Sequence, residues 1–253
     1  MMKTEAQKPD TKGRVLPFYV EGRETWADEY GSILDLLPTI ALRFQYLARR
    51  CRGLAQRGTR LRILDLGAAY GYYAAVLHAH GHDVYAIEWA EDAALKVTDL
   101  LGPGKVFRQS VADPFPLPDA SIDLAYAFDL IEHADDDAIR AMLGECERVL
   151  APEGLFLIST PNSGRIARLI FRALGLAVPK IPYLLYGPDH TNLFTAARLQ
   201  SLLAKSLRHS VIREVSYSNF MFGRYPIASI VDNVLLRHIR ASANIIAVIE
   251  KQG

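Results

Sequence analysis

The sequence predicts a doubly wound α/β fold, in which a mostly parallel sheet of seven strands carries helices on both faces. Between residues 61 and 160, short apolar runs alternate with helical patterns, and this alternation is typical of parallel strands joined by crossover helices. The chain has 253 residues, of which 50% are hydrophobic and 23% are charged. A chain of this size and composition can bury a core large enough for such a sheet.

The strands of the predicted core share short apolar runs that are bounded by turn residues. They cover residues 61–66, 83–88, 105–109, 122–128 and 155–160. Helical patterns cover residues 71–80, 91–101 and 136–150, where crossover connections are required. Gly81 follows the first helix, and glycine commonly ends a helix in the left-handed conformation. Gly-Pro-Gly at 102–104 ends the second helix, and Pro-Glu-Gly at 152–154 precedes the fifth strand.

After residue 160 the regular alternation stops. Residues 163–175 place apolar side chains on one face and arginines on the other, which predicts an amphipathic helix. Thr195 is expected to cap a helix that runs to about residue 207. Residues 211–217 and 244–250 are predicted to form the last two strands.

Three parts of the chain fall outside the predicted core and are long enough to cover its ligand-binding edge. The N-terminal tail with its helical cap covers 1–57, and the core covers 58–160. The lid insertion with its helix covers 161–210, and the C-terminal strands with an intervening lid segment cover 211–253. The cap has a helical pattern over about residues 26–56, which we expect Pro38 to interrupt. The lid includes a Pro- and Tyr-rich stretch over 178–189 and a partly helical stretch over 219–240.

Charge and cysteine usage narrow the functional classes. The formal net charge is +1, so the chain has no general attraction for nucleic acid, and no nucleic-acid partner is expected. The polar residues 1–14 lack the apolar segment of a signal peptide, and no apolar run approaches the ~20 residues that span a bilayer. Cys51 and Cys146 fall in helical patterns and are expected to be reduced. These features predict a cytoplasmic protein.

A glycine-containing loop after the first predicted strand is the first candidate ligand site. It reads Asp65-Leu66-Gly67-Ala68-Ala69-Tyr70-Gly71, and glycines between a strand and a helix let a ligand approach the backbone closely. Dinucleotide-binding enzymes use G-x-G-x-x-G, whose third glycine would fall at Tyr72. A carboxylate at Asp65 would repel a pyrophosphate and attract a cationic ligand. A tight turn that binds no ligand is the alternative.

Two further acids follow the second and third predicted strands. Glu88 ends the second strand, 21 residues after Gly67 (88 − 67), and an acid there can accept hydrogen bonds from a ribose diol. The alternative for Glu88 is an acidic start to the next helix, before Glu91. Asp113 follows the third strand, and its alternative is a turn residue before Pro114.

These motifs together resemble the Rossmann-like core of the class I S-adenosylmethionine (SAM)-dependent methyltransferases, over residues 61–160. Gly67-x-Ala69-x-Gly71 is similar to the G-x-G-x-G loop of that family, with alanine at the middle position. V-A-D-x-x-x-L-P-D-x-S-x-D at 111–123 resembles the stretch between strands three and four of its small-molecule enzymes. Ser-Thr-Pro-Asn at 159–162 and Asp-His-Thr-Asn-Leu-Phe-Thr at 189–195 resemble the branch that contains the ubiquinone-biosynthesis O-methyltransferases.

The resemblance implies a donor site for SAM, with S-adenosylhomocysteine as the product. SAM carries an ammonium and a sulfonium but no phosphate, so Asp65 would attract it. By the resemblance, Glu88 binds the ribose and Asp113 accepts from the adenine amino group. The predicted cofactor-binding residues are Asp65, Gly67, Ala69, Gly71, Glu88, Trp89, Ala112, Asp113 and Phe128. Ala69 is expected to narrow this site slightly.

The segment after the fourth predicted strand bears on the acceptor. It reads Phe128-Asp129-Leu130-Ile131-Glu132-His133, whereas enzymes that methylate exocyclic nitrogens of DNA or glutamine amides usually carry Asn/Asp-Pro-Pro-aromatic here. On a helical turn, Asp129, Glu132 and His133 would share one face and could bind Mg²⁺ or Zn²⁺. The resemblance implies such a metal beside a catechol acceptor. The alternative is that Glu132 and His133 order the loop before the next helix.

The candidate catalytic residues are His190, His133 and Glu132. An imidazole with an ordinary pKa near ~6.5 can remove a hydroxyl proton, and His190 lies in the predicted lid. Its alternative role is to position the following helix. The spacing of His78, His80 and His82 suggests a metal cluster, but they lie at the edge opposite the ligand site and are interpreted as surface residues.

The predicted function is methyl transfer from SAM to a small-molecule acceptor, at a hydroxyl oxygen of an aromatic, quinone, polyketide or lipid-like compound. The apolar, aromatic and arginine content of the lid suits such an acceptor, with ordinary lid packing as the alternative. C- or N-methylation of a natural product or sugar, a non-catalytic SAM-binding protein and an NAD-dependent oxidoreductase are the competing functions. A divalent cation, a peripheral membrane contact and the oligomeric state are left open.

Overall fold

The computed structural model describes residues 33–54, 60–176, 186–218, 240 and 242–253. Its strands are β1 (Arg62–Leu66), β2 (Asp83–Glu88), β3 (Val106–Arg108), β4 (Ile122–Phe128), β5 (Leu150–Pro161), β6 (Ser210–Ser218) and β7 (Asn244–Lys251). Its helices are α1 (Ile33–Leu54), α2 (Tyr72–Ala79), α3 (Glu91–Leu101), α4 (Asp136–Val149), α5 (Arg165–Gly175) and α6 (Ala196–Ser206), with a 3₁₀ turn at Ile131–His133. The predictions for residues 178–185 and 219–239 lie outside the described residues.

The strands form one seven-stranded sheet in the order β3-β2-β1-β4-β5-β7-β6. The pairs from β3 through β5 are parallel, and β7 runs antiparallel between β5 and β6. The strand order reverses between β1 and β4, and sheets of this kind bind ligands at the carboxyl ends of the strands beside that reversal. The predicted Rossmann-like, mostly parallel sheet is confirmed.

Each face of the sheet is covered by its own apolar core. On β1, Leu64 and Leu66 belong to one core and Ile63 belongs to the other, and all three are fully buried. The first core includes residues of α4 and α6, and the second includes residues of α1, α2 and α3. Since both faces are covered, the central strands need apolar side chains at successive positions. This burial explains why they read as continuous apolar runs in the sequence.

The structure differs from the sequence predictions at two places. Helix α1 continues through Pro38, so the predicted interruption there is wrong. Pro38 lies in the second turn, and its missing N–H removes one backbone hydrogen bond near the start of a 22-residue helix. Strand β5 begins at Leu150, and its register on β4 shifts between Ile122 and Leu124. The turn predicted at 152–154 falls within this irregularity, where Glu153 has φ +63°, and the strand extends on both sides of it.

The predicted helix caps at Gly81 and Thr195 are confirmed. Gly81 has φ +87°, its N–H donates to His78 O at 2.9 Å, and the next N–H, of His82, donates to Leu77 O at 3.2 Å. These two bonds close α2 and direct the chain into β2. The Oγ1 of Thr195 accepts from Arg198 N at 3.2 Å and begins α6. Among the described helices, none is both long and apolar enough to cross a bilayer.

Candidate active site

The candidate ligand residues meet at the carboxyl edge of the sheet. Because β3, β2, β1 and β4 are parallel neighbours in that order, the loops that follow them lie side by side. Taken in the same order of strands, the features at these strand ends are Asp113, Glu88, the glycine loop of 65–71 and Asp129. The fold therefore brings together acids that are up to 64 residues apart in the chain (129 − 65).

The glycine loop depends on backbone conformations that favour glycine. Gly67 and Gly71 have φ values of +70° and +75°, in the left-handed region that side chains disfavour. A Cβ at Gly67 would lie 2.8 Å from Leu130 Cδ1, and one at Gly71 would lie 3.1 Å from Val97 Cγ2. The N–H of Gly67 donates to Ile87 O at 2.9 Å, which ties the loop to β2. Larger residues at either glycine would disturb this turn.

Ala69, at the middle position of the loop, is also left-handed, with φ +49°. For an L-residue that has a Cβ, this conformation costs roughly 1–2 kcal/mol. Its N–H donates to Glu88 Oε2 at 2.8 Å, and this bond to a carboxylate holds the residue in the strained conformation.

Glu88 joins the glycine loop to the segment after β2. Its Oε2 accepts from Ala69 N and its Oε1 from Ala90 N, each at 2.8 Å. The side chain is 7% exposed, and this burial raises the pKa of the carboxyl, against the opposing effect of the backbone N–H donors. Each carboxylate oxygen can accept a further hydrogen bond from a ligand. Trp89, the next residue, is 39% exposed at the same edge.

Asp65, the acid of the glycine loop, is 3% exposed. Burial raises its pKa from the ordinary 3.8 to about 7; the hydrogen bond from the Tyr126 hydroxyl opposes this shift, and the charge of Glu88 adds to it. That hydroxyl donates to Asp65 Oδ2 at 2.6 Å. A cationic ligand beside Asp65 would favour the ionised carboxylate.

Asp113 and Ala112 lie in the turn after β3. Asp113 is exposed, and its Oδ2 accepts from Ser110 N at 3.2 Å. The N–H of the half-buried Ala112 donates to Ser110 Oγ at 3.1 Å. Asp113 therefore closes this turn, as its alternative interpretation expects, and it also stands at the edge where the resemblance expects an adenine-binding acid.

The structure separates Asp129 from the predicted metal trio. Asp129 has φ +50° and precedes the 3₁₀ turn of Ile131–His133, so it does not share a helical face with Glu132 and His133. Its Oδ2 forms an ion pair with Arg43 of α1, and its Oδ1 accepts from Ser159 Oγ at 3.3 Å. The predicted one-face arrangement is wrong because the chain turns through a left-handed residue before it becomes helical.

His190 takes the place beside Glu132 and His133 that was predicted for Asp129. One potential ligand atom from each of Glu132, His133 and His190 lies within 4.8 Å of the others. The imidazole rings of His133 and His190 have centroids 4.8 Å apart at 76°. Asn192 holds this arrangement, since its N–H donates to Glu132 O at 3.0 Å and its Nδ2 donates to Ala134 O at 2.7 Å.

His133 is held as a neutral imidazole of one tautomer. Its Nδ1 lies 2.9 Å from Asp189 O, and because a carbonyl only accepts, Nδ1 carries the hydrogen and Nε2 carries the lone pair. Burial and the neighbouring His190 lower its pKa to about 4. A neutral imidazole of this kind is a better metal ligand than proton acceptor at physiological pH.

Glu132, beside His133, is fully buried. Its Oε2 accepts from Thr160 Oγ1 at 2.9 Å, and no donor among the described residues reaches its Oε1. Burial, together with the charge of Asp129, raises the pKa of Glu132 well above its ordinary value. A buried carboxyl oxygen without a partner is unusual in a native protein and marks a place for a proton, a water or a cation.

Sequence reasoning missed Arg43, a buried cation at this edge. The residue is 6% exposed, and its guanidinium pairs with Asp129 and lies 6.0 Å from the ring centroid of Phe128. Phe128 is half-buried and also meets the Tyr73 ring edge to face at 5.7 Å. The sequence did contain a signal for a buried Arg43, because this arginine lies on the apolar face of α1, one helical turn before Leu47.

The profile of a methyltransferase domain family matches residues 40–206, about two thirds of the chain. The chain belongs to this methyltransferase family. This membership confirms the resemblance drawn from the glycine loop and the acids that follow β2 and β3.

Two relatives and one solved structure show how far the similarity extends. A probable S-adenosylmethionine-dependent methyltransferase of Mycobacterium tuberculosis is 35% identical over 150 residues, or 59% of this chain and 49% of that protein. This chain thus spans about half the length of that relative. A ubiquinone biosynthesis O-methyltransferase of Bradyrhizobium sp. is 26% identical over 171 residues, 64% of each chain. The plantazolicin methyltransferase BpumL, solved with a monoazolic desmethylPZN analog and S-adenosylhomocysteine, shares the fold with a TM-score of 0.58, 16% identity and 85% of each chain covered.

The raised pKa of Asp65 predicts that this protein loses stability as the pH rises. The folded protein keeps the Asp65 proton up to pH of about 7, whereas the unfolded chain releases it near 3.8, so the free energy of unfolding falls between these values. Asp65→Asn cannot ionise and should lack this fall. We expect the variant to gain roughly 2–3 kcal/mol relative to the natural protein between pH 5 and pH 8.

Urea unfolding of both proteins at pH 5, 6, 7 and 8 measures this difference. Asp137→Asn, at a side chain that is 86% exposed, is the matched control and should follow the natural protein. Parallel pH profiles for Asp65→Asn and the natural protein would show that Asp65 ionises normally in the folded state.

Proposed function

We propose that the protein transfers the methyl group of SAM to a hydroxyl oxygen of a small-molecule acceptor, an aromatic, quinone, polyketide or lipid-like compound. The observation that carries this proposal is the junction of Glu88 with the glycine loop, in which one buried carboxylate accepts from both Ala69 N and Ala90 N. This junction fixes an acid and an open backbone turn at the same edge. A ligand that combines a ribose with a cationic group suits both.

The donor site is proposed to consist of three acids with separate roles. Glu88 would accept the ribose hydroxyls, and the exposed Asp113 would accept the adenine amino group. Asp65 would face the ammonium of SAM. Arg43 is a buried cation at the same edge and offers a partner for the carboxylate of SAM. These charges complement the zwitterionic methionine end of SAM and disfavour a pyrophosphate.

Methyl transfer then requires an acceptor oxygen in line with the methyl group and a destination for its proton. In the proposed step, the oxygen bonds to the methyl carbon while the carbon–sulfur bond breaks, which leaves S-adenosylhomocysteine. The acceptor proton passes to His190. His133 is the weaker candidate for this role, because its pKa is lowered to about 4 and its Nδ1 hydrogen is committed to Asp189 O.

A divalent cation is a second candidate for activating the acceptor hydroxyl. The grouping of Glu132, His133 and His190 within 4.8 Å favours such a cation. Two ligands that share one tetrahedral Zn²⁺ lie about 3.4 Å apart, so small side-chain rotations would bring these atoms into range. The Oε1 of Glu132, which no described donor reaches, fits this set. A bound cation would lower the pKa of an acceptor hydroxyl.

The surface of α5 supports a lipid-like acceptor and a peripheral membrane contact. Ile166, Leu169 and Leu176, in α5 and just beyond its end, are 51%, 69% and 89% exposed. Arg165 and Arg172 are also exposed, on the arginine face that adjoins these apolar side chains, and the helix contains no acid. Basic and apolar groups side by side are typical of helices that contact anionic lipid. Since α5 follows β5 at the carboxyl edge, such a contact would bring lipid close to the site.

The competing functions make different predictions for one experiment. An NAD-dependent oxidoreductase has little support, because Tyr72 occupies the third-glycine position and the chain belongs to a methyltransferase family. Incubation with SAM that carries a labelled methyl group, together with an extract of the source cells, would identify the acceptor by mass and the methylated atom by fragmentation. SAM binding without any labelled product would instead favour a non-catalytic SAM-binding protein.

The donor-site proposal predicts that Glu88→Gln weakens SAM binding at least tenfold, about 1.4 kcal/mol. The amide nitrogen would face either Ala69 N or Ala90 N, and two donors cannot bond to each other, so the loop loses a contact along with the ribose acceptor. Calorimetric titration with SAM measures the change. Glu91→Gln, at an exposed acid three residues away, should bind normally. Unchanged affinity in folded Glu88→Gln would remove Glu88 from the donor site.

The cation proposal predicts that EDTA reduces turnover at least a hundredfold, and that Mg²⁺ or Zn²⁺ restores it. Glu132→Gln, which retains an oxygen acceptor for Thr160 but loses the charge, should weaken Zn²⁺ binding at least tenfold in calorimetry. Full activity in EDTA, with no Zn²⁺ bound, would leave Glu132 and His133 a structural role.

The proton-transfer proposal predicts that His190→Ala lowers turnover ~10²-fold or more while the affinity for SAM stays the same. The natural protein should gain rate with rising pH through one ionisation that the variant lacks. His78→Ala, at an exposed histidine of the opposite edge, is the control. If His190 only positions its loop, its loss should raise the acceptor KM and lower thermal stability, and leave the pH profile unchanged.

A further inference from the structure

A surface cavity of about 430 Å³, about half open to solvent, lies between α1 and the C-terminal end of α2. His82, which lines it, directly precedes β2, whereas Glu88 ends the same strand. The cavity is therefore at the amino edge of the parallel strands, opposite the candidate active site. Its volume is within the range of about 300–1,000 Å³ that is usual for small-molecule sites.

The inner wall of this cavity is apolar. Phe44 and Ala48 of α1 face it, and Leu77 of α2, which is 2% exposed, lies opposite. The Phe44 ring contacts the His80 ring with centroids 5.8 Å apart. An apolar group that entered the cavity would lose contact with water on several sides, which is favourable by about 25 cal/mol per Å² buried.

The rim of the cavity is basic. Arg49 and Arg52 are three residues apart on α1 and therefore share a face, and neither has an ion-pair partner in the part of the chain that the structure describes. His82 Nδ1 accepts from Leu61 N at 3.3 Å, so its ring hydrogen is on Nε2. The described lining residues include no carboxylate. A ligand at this rim would meet donors and positive charge.

We propose that the cavity binds an amphipathic anion, with an apolar body against Phe44, Ala48 and Leu77 and a carboxylate or sulfonate head at Arg49 and Arg52. Arginine binds such heads through paired N–H donors. His80 and His82, which the sequence presented as surface residues, line this cavity. The site is separate from methyl transfer and does not rest on the proposed function.

Calorimetric titration of the full chain with decanoate, below its micellar concentration, tests the proposal. We expect one molecule to bind per chain and decanol, which has the same tail without the charge, to bind at least tenfold more weakly. Ala48→Phe should abolish binding because the new ring occupies the cavity. Arg49→Gln with Arg52→Gln should weaken binding at least tenfold, and both substitutions are at positions with enough exposure to preserve the fold.

The matched control is Lys205→Gln with Arg208→Gln, two exposed cations three residues apart at the C-terminal end of α6. This control should bind decanoate like the natural protein. Binding that survives Ala48→Phe, that is lost in the α6 control, or that is equal for decanol would overturn the proposal. So would the absence of decanoate binding.

Discussion

The candidate site depends on how buried carboxyl groups are satisfied where the parallel strands end. Asp65, Glu88 and Glu132 are 3%, 7% and 0% exposed, and burying such groups is costly unless hydrogen bonds replace water. Glu88 takes two backbone N–H donors, Asp65 takes the Tyr126 hydroxyl, and Glu132 takes the Thr160 hydroxyl. These donors come from different loops and strands, so satisfying the acids also fixes the loops against the sheet.

Helix α1 connects the candidate site to the edge strand β6. Arg43 pairs with Asp129, which follows the central strand β4, and two turns later Arg50 pairs with Glu214 of the edge strand β6 at 2.6 Å. Between them Leu47 is fully buried in the core that also contains α2 and α3. The buried pair with Asp129 matters more than the half-exposed pair with Glu214, since solvent screens the latter. A helix that lies outside the glycine loop and the strand-end motifs thus contributes a charged group to the candidate site.

The sequence was informative where structure is local and less so where distant segments meet. The strands, the caps at Gly81 and Thr195, and the glycine loop follow from periodicity and backbone preference within a few residues. The pairing of Arg43 with Asp129 joins residues 86 apart, and no periodicity specifies it. His190 reaches Glu132 and His133 because Asn192 bonds to the backbone of that turn. The left-handed backbone conformation of Asp129 could not be predicted from the sequence either, because aspartate adopts it only occasionally.

Three features at this edge of the sheet each lower the stability of the fold. Ala69 is strained at φ +49°, Asp65 is buried with a raised pKa, and Glu132 has an oxygen that no described donor reaches. The first two could be relieved locally, by a glycine at position 69 and an asparagine at position 65, without change to the strands around them. Violations of folding rules that cluster in one place are expected at functional sites, where the ligand supplies the missing interaction. Asp65 and Ala69 belong to the proposed donor side and Glu132 to the proposed acceptor side, so the unfavourable features are divided between the two proposed binding sites.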